Sequence, residues 1–176
     1  MRRKKIYFYN TIIGELGIAE QNERITNIYF QNNLNRKNFL TQNNLKLNET
    51  DIIRKAISEI YDYFDGKLSQ FSVKIEPNGT EFMKKVWNKL MEIPYGETRS
   101  YKDIATMIGN EKAARAVGLA NNKNPIPIII PCHRVIGTNK KLIGYAGGLD
   151  IKRKLLTLEN NFKSFFSFIE NKNRIK

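Results

Sequence analysis

The sequence of 176 residues predicts two domains, a small α/β unit followed by a mostly helical one. Three observations carry this. The chain opens with IYFYN, LGIAEQ and RITNIYF, short runs rich in β-branched and aromatic residues and separated by turn signals at Gly14 and Asn22-Glu23. A cluster of turn residues, EPNGT, interrupts it at residues 76–80. Beyond that cluster the apolar residues recur mainly at helical spacing.

Each element has its own reason. The three opening runs are strands. QNNLNRKNFLTQNNLKLNET is polar and Asn-rich, and reads as loop. In DIIRKAISEIYDYFDG, residues Ile53, Ala56, Ile57, Ile60 and Phe64 fall on one helical face, with Asp51 as N-cap and Gly66 as stop. FSVKIE reads as one more strand. The N-terminal domain is therefore expected over 1–75 and a hinge over 76–80. Thr80 caps the next helix, TEFMKKVWNKLMEI, whose stripe of Phe82, Val86, Trp87 and Leu90 belongs in a core.

SYKDIATMIGNEKAARAVGLANNKNP fits two short helices, 100–108 and 112–121, joined by a Gly-Asn turn. Ile104, Ala105 and Ile108 face inward on the first. Ala113, Ala116, Val117 and Ala120 leave the second small-surfaced and able to approach a partner closely. This is a helix-turn-helix pattern, although many helical hairpins bind nothing. Pro125 ends the second helix. IPIIIP reads as a short buried strand stiffened by its prolines. GTNKKLIGYAGGLD is a Gly-rich loop with Tyr145 and Ala146 at its tip, and Asp150 caps a last helix, DIKRKLLTLEN. The C-terminal domain is expected over 81–160. A Phe-rich helical tail follows over 161–176, with Phe162, Phe165, Phe166 and Ile169 spaced to pack on their own domain or, as the second reading, to meet a partner.

Composition narrows the function. At 41% hydrophobic and 27% charged, the chain can bury a core of ordinary size. A single cysteine excludes an intrachain disulfide, so nothing requires an oxidising compartment. The basic start MRRKK is followed by an apolar run broken at Asn10, Thr11, Gly14 and Glu15, and no stretch reaches the ~20 apolar residues of a membrane span. A soluble cytoplasmic protein with no membrane association is expected. The formal charge of +13 favours polyanions, while a general bias toward Lys, Asn and Ile gives the same surplus without function. Distribution adds to the first reading: residues 112–154 hold nine Lys or Arg against one acid, Asp150.

That basic stretch surrounds the only cysteine and the only histidine, the neighbours Cys132 and His133. One Cys and one His cannot supply the ligands of a common zinc site. Two readings of the pair remain: a thiol made nucleophilic by imidazole and local positive charge, or a structural cysteine beside a surface histidine. In an extended chain the two side chains point to opposite faces. Contact then needs a backbone turn after Pro131 or a relaying water, and His133 needs an acceptor on its other nitrogen.

Three stretches, GTEFMKKVWNKLMEIPYGETRSY, AARAVGLANNKNPIPIIIPCHRVIG and GYAGGLDIKRKLLTLE, closely resemble the O6-alkylguanine-DNA alkyltransferases, or methylated-DNA–protein-cysteine methyltransferases. The resemblance covers nearly half the chain, from about residue 79 to 160, and is looser in the N-terminal third. It implies a ribonuclease-H-like α/β domain and a winged helix-turn-helix-like arrangement in the helical one. It further implies direct transfer of an alkyl group from O6 of guanine, and more slowly O4 of thymine, to Cys132. In that scheme His133 is the base acting through a water, Glu159 orients it, and Asn124 braces the turn behind the thiol. Tyr101 donates a proton toward the departing guanine and crowds the phosphate. Arg115 fills the vacated stack. Lys102, Ala114, Gly118 and Thr138 complete the DNA contacts, while Val135, Tyr145 and Ala146 form the base pocket. No cofactor and no metal is implied, since the zinc ligands of some relatives are missing. The implied partner is double-stranded DNA carrying O6-alkylguanine, met by a monomer.

The chemistry agrees with that scheme. A base inside a duplex must leave the stack, at a cost of a few kcal/mol. A thioether product does not hydrolyse readily and no second thiol resolves it, so one thiol implies one turnover. Two alternatives stand beside it: a DNA-binding damage sensor that does not react, and a Cys-His thiol hydrolase.

Overall fold

The computed structural model describes residues 3–31 and 36–174, with side chains to residue 164 in the last helix. The N-terminal half is built on a sheet of order β3-β2-β1-β4. Strands β1 (Lys4–Thr11), β2 (Gly14–Gln21) and β3 (Arg24–Gln31) form an antiparallel meander. The second turn of the meander uses two residues at positive φ, Asn22 at 53° and Glu23 at 57°, the handedness that matches strand twist.

The Asn-rich segment is more ordered than its composition suggests. It forms α1 (Arg36–Gln42) and a short β4 (Leu45–Leu47) parallel to β1. Phe39 and Leu40 of α1 pack on Ile6, Phe8, Ala19 and Leu45, a small core on the outer face of the sheet. Three apolar residues are enough to hold this piece in place. FSVKIE, by contrast, is not a strand but a single bridge at Ile75, whose flanking groups pair with Ile25: Ile25 N donates to Lys74 O and Glu76 N to Ile25 O.

Helix α2 (Asp51–Phe64) crosses the inner face and buries Ile53, Ala56, Ile57, Ile60, Tyr63 and Phe64. Its N-cap is Thr50 rather than Asp51, which is the first helical residue. At its end Lys67 N reaches back to Asp62 O and Gly66 N to Tyr63 O, with Gly66 at φ 71°. A Cβ at Gly66 would also stand 2.3 Å from the Phe162 ring. Gly66→Ala is therefore expected to destabilise the fold by about 1–3 kcal/mol, seen as a lower thermal midpoint at unchanged secondary structure.

The C-terminal half is helical. In α3 (Glu81–Met91) Thr80 accepts from Met83 N, and Trp87 is 1% exposed, with Nε1 donating to Ala120 O at 2.9 Å. Helix α4 (Tyr101–Met107) starts in a reciprocal cap of Ser100 and Asp103. Helix α5 (Ala114–Asn122) follows a short 3₁₀ turn and packs on α3 and α4 through Val117 and Ala120, while Ala116 faces solvent. Two-residue strands β5 (Arg99–Ser100) and β6 (Val135–Ile136) pair in parallel, Arg99 with Val135. That pairing sets the start of α4 beside the Cys132 turn. IPIIIP is not a strand. Ile128 sits at φ 77°, and Asn124 bonds across the loop, accepting from Ile126 N and donating to Ile130 O. Helix α6 (Leu149–Arg174) begins at Leu149, so Asp150 is in its first turn rather than at its cap, and the helix runs unbroken into the tail. The side chains of Phe165, Phe166 and Ile169 lie outside those described. Core residues of α2, α3, α5 and α6 join one cluster that also contains Cys132.

Candidate active site

After the loop held by Asn124, the backbone turns at Pro131 into a 3₁₀ turn over Cys132–Arg134. The turn places three consecutive side chains, all buried, in the junction of α2, α3 and α6. Cys132 is 2% exposed and His133 0%, so the histidine is not a surface residue.

Glu159, reaching in from α6, organises the junction. Its Oε1 accepts from His133 Nε2 at 2.8 Å, Tyr63 OH at 2.7 Å and Arg134 Nη2 at 2.9 Å. Its Oε2 accepts from Gly96 N and Arg134 Nε, both at 3.0 Å. Burial alone would raise the Glu159 carboxyl, but hydrogen bonds from His133 and Arg134, the charge of Arg134 and, in acid where the ring protonates, the charge of His133 outweigh it and hold the group lowered to about 2. Burial lowers His133, so it is uncharged at neutral pH and Arg134 supplies the charge that keeps Glu159 ionised. An ionised carboxylate only accepts, which fixes the proton on Nε2 and leaves Nδ1 as a bare base. Nδ1 is buried and has no hydrogen-bond partner among the described residues.

The thiol is not ionised at rest. Burial pushes Cys132 up to about 11, opposed by a hydrogen bond from Asn124 and by the charge of Lys152. Local positive charge and the neighbouring imidazole therefore do not by themselves make Cys132 a thiolate: a closed apolar site disfavours the anion until a proton acceptor and a reaction partner act together. Lys152 is fully buried and donates to Val135 O at 2.6 Å and Ile143 O at 2.8 Å. Burial lowers it to about 8, which leaves it cationic at neutral pH.

The other sequence candidates divide by position. Val135 follows the turn and is buried. Tyr145 is not at the loop tip. Its ring is 8% exposed, set between Phe30 of β3 at 5.7 Å and His133 at 6.5 Å. Ala146 remains exposed. Tyr101 is half-buried, and its OH donates to Ile143 O at 3.0 Å, tying α4 to the loop before Tyr145. A Cβ at Gly118 would stand 3.8 Å from the Tyr101 ring, so α5 passes directly beside it. Arg115, Lys102 and Thr138 are exposed, and Ala114 is half-buried. Among the described residues no group of three His, Cys, Asp or Glu lies close enough to hold a metal ion, and no helix is long and apolar enough to cross a membrane.

Sequence reasoning missed Tyr63 and Lys152 and gave Arg134 only a general electrostatic part. Tyr63 stands next to the apolar stripe of Ile53, Ala56, Ile57, Ile60 and Phe64 without belonging to it, and carries no local signal of its role. Lys152 carries the one usable signal: it precedes Glu159 by seven residues, two helical turns, and so shares its face.

Residues 5–77 match the family described as 6-O-methylguanine DNA methyltransferase, ribonuclease-like domain, and residues 81–161 match its DNA binding domain. The chain is 45% identical over 154 residues to a constitutive methylated-DNA–protein-cysteine methyltransferase of Bacillus subtilis, covering 85% of this chain and 91% of the relative. It is 63% identical over 111 residues to a protein of the same name from Methanosarcina acetivorans, 63% of this chain and 71% of that one. Among solved structures it is similar to Mycobacterium tuberculosis OGT in complex with DNA, at a TM-score of 0.81 and 42% identity, over 90% of this chain and 94% of the other.

Proposed function

The chain belongs to the 6-O-methylguanine DNA methyltransferase family, and from that premise we propose that it repairs alkylated DNA by direct reversal, moving the alkyl group of O6-alkylguanine irreversibly onto its own Cys132. The observation that carries this is the Cys132–Glu159 junction: one buried thiol beside a neutral histidine whose proton is held on the far nitrogen by a carboxylate. A site in the cytoplasm is consistent with such repair.

Catalysis follows from that tautomer. His133 Nδ1 takes the thiol proton, directly or through a water, and Glu159 stabilises the imidazolium that forms. The sulfur attacks the alkyl carbon; its new S–C bond replaces the O–C bond, and the electron pair leaves on guanine O6. A proton delivered from Tyr101 restores the neutral base. Lys152 and the Asn124 amide favour the sulfur anion, which offsets part of the burial that disfavours it. Because the thiol is 2% exposed, an arriving base has to open the site before the sulfur can reach the alkyl carbon.

DNA binding falls to the α4–α5 pair. Arg115 stands on the exposed face of α5 and Lys102 on α4, with Ala114 and Gly118 allowing close approach and Thr138 on the neighbouring loop. Arg115 fills the space left by the everted nucleotide. Arg115→Ala is expected to slow transfer from duplex by about tenfold or more, because the unstacking cost is no longer offset. Transfer from the free base O6-methylguanine is expected to stay unchanged, and single-turnover kinetics on both substrates checks this. The proposal as a whole is tested by stoichiometry. With excess methylated duplex, methyls removed are expected to plateau at about one per protein; continued turnover would support a hydrolase instead.

A further inference from the structure

Asn121 lies on the last turn of α5 and is 3% exposed. Its Nδ2 donates to the carbonyl of Cys132 at 3.3 Å. Its Oδ1 is buried and has no hydrogen-bond partner among the described residues. The reverse amide orientation would set two acceptors against each other, so the free atom is the oxygen. Along α5, residues 114, 118 and 121 recur on one face, the face that runs past the Tyr101 ring at Gly118. Between Tyr101 and the reactive cysteine this face therefore presents one unanswered acceptor.

The reaction's own substrate supplies the matching donor. O-alkylation removes the N1 proton of guanine, so N1, N3 and N7 can only accept, and the 2-amino group is the one donor the base retains. O4-alkylthymine has no donor and would bring its O2 acceptor instead. We propose that Asn121 is a specificity-determining residue, whose Oδ1 accepts from the 2-amino group of the everted guanine and sets the preference for guanine over thymine. This rests on the alkylguanine reading above.

The test is single-turnover transfer from three duplexes that differ only in the target base: O6-methylguanine, O6-methylhypoxanthine (the same base without the amine) and O4-methylthymine. Asn121→Leu is expected to slow transfer from O6-methylguanine by about tenfold and to change O6-methylhypoxanthine by less than about twofold. The preference for guanine over thymine narrows by the same factor. Asn121→Ser, which adds no bulk, is expected to show the same amine-dependent loss if the leucine variant folds poorly. Equal slowing on guanine and hypoxanthine overturns the assignment, since the residue then acts on the thiol or the fold. No slowing on guanine overturns it as well. If the unaltered protein takes a methyl from none of the three, the alkylguanine reading itself fails. If it takes one from guanine and the variant's loss ignores the amine, this inference alone fails.

Discussion

Cys132→Ala is expected to abolish methyl transfer from O6-methylguanine DNA completely, while binding to the same duplex stays within about twofold. No other thiol exists in the chain to replace it. The exposed groups on α4 and α5 that are proposed to meet DNA do not depend on the sulfur, which is buried at 2% exposure. Truncating a small buried side chain leaves a minor cavity and costs about 1 kcal/mol. Loss of activity together with loss of binding would point to collapse of the fold. Retained activity would place the chemistry elsewhere. Transfer assays and titration of binding on the same methylated oligonucleotide separate these outcomes.

Glu159→Gln is expected to have the second largest effect, on rate and on stability together. The change removes the one carboxylate paired with Arg134 among the described residues, and Arg134, with its side chain 7% exposed, becomes a buried cation without its partner, which costs about 3–5 kcal/mol. It also brings an amide N–H into a site where His133, Tyr63, Arg134 and Gly96 all donate. The Nε2 proton then loses its fixed acceptor, and the base contribution of His133, about a hundredfold or more, is lost. The pH dependence of stability should change with it. The folded carboxyl is lowered to about 2 from an ordinary value of 4.5, so its contribution is present above about 4.5 and disappears as pH falls toward about 2. His133, lowered by burial, adds a slope of the same sign at higher pH. Urea unfolding at neutral and acid pH is expected to show a flatter acid decline in the Gln variant, with a lower starting stability.

The C-terminal half was legible because its chemistry is written in rare residues. One cysteine beside one histidine, a basic surround and a helical pair before them can be read without coordinates. What brings them together was harder to read. IPIIIP has the composition of a strand, yet the Asn124 side chain supplies the hydrogen bonds that a partner strand would give, and Ile128 adopts a conformation that β-branched residues avoid. The segment after β3 looked like loop because its few apolar residues, Phe39, Leu40 and Leu45, are diluted by asparagine; only the sheet face they cover reveals their use. Tyr63 was invisible as a site residue for a different reason. It is separated from Glu159 by 96 residues, and no local pattern distinguishes a core tyrosine from one whose hydroxyl meets a carboxylate. Tyr145 looked like a loop tip, and Phe30 of the N-terminal sheet explains why it turns inward. For Tyr63 and Tyr145 the missing information was a long-range contact between the two halves of the chain; for IPIIIP and the Asn-rich segment it was a side-chain contact within one half that composition does not announce.

The central claim is that Cys132 is the final resting place of the alkyl group. Intact-mass spectrometry after incubation with O6-methylguanine duplex, followed by peptide mapping, tests it most directly. A gain of one methylene unit confined to the peptide bearing Cys132, with unmodified guanine left in the DNA, is the predicted result. An unchanged protein mass, or a methyl carried on any other residue, would contradict it.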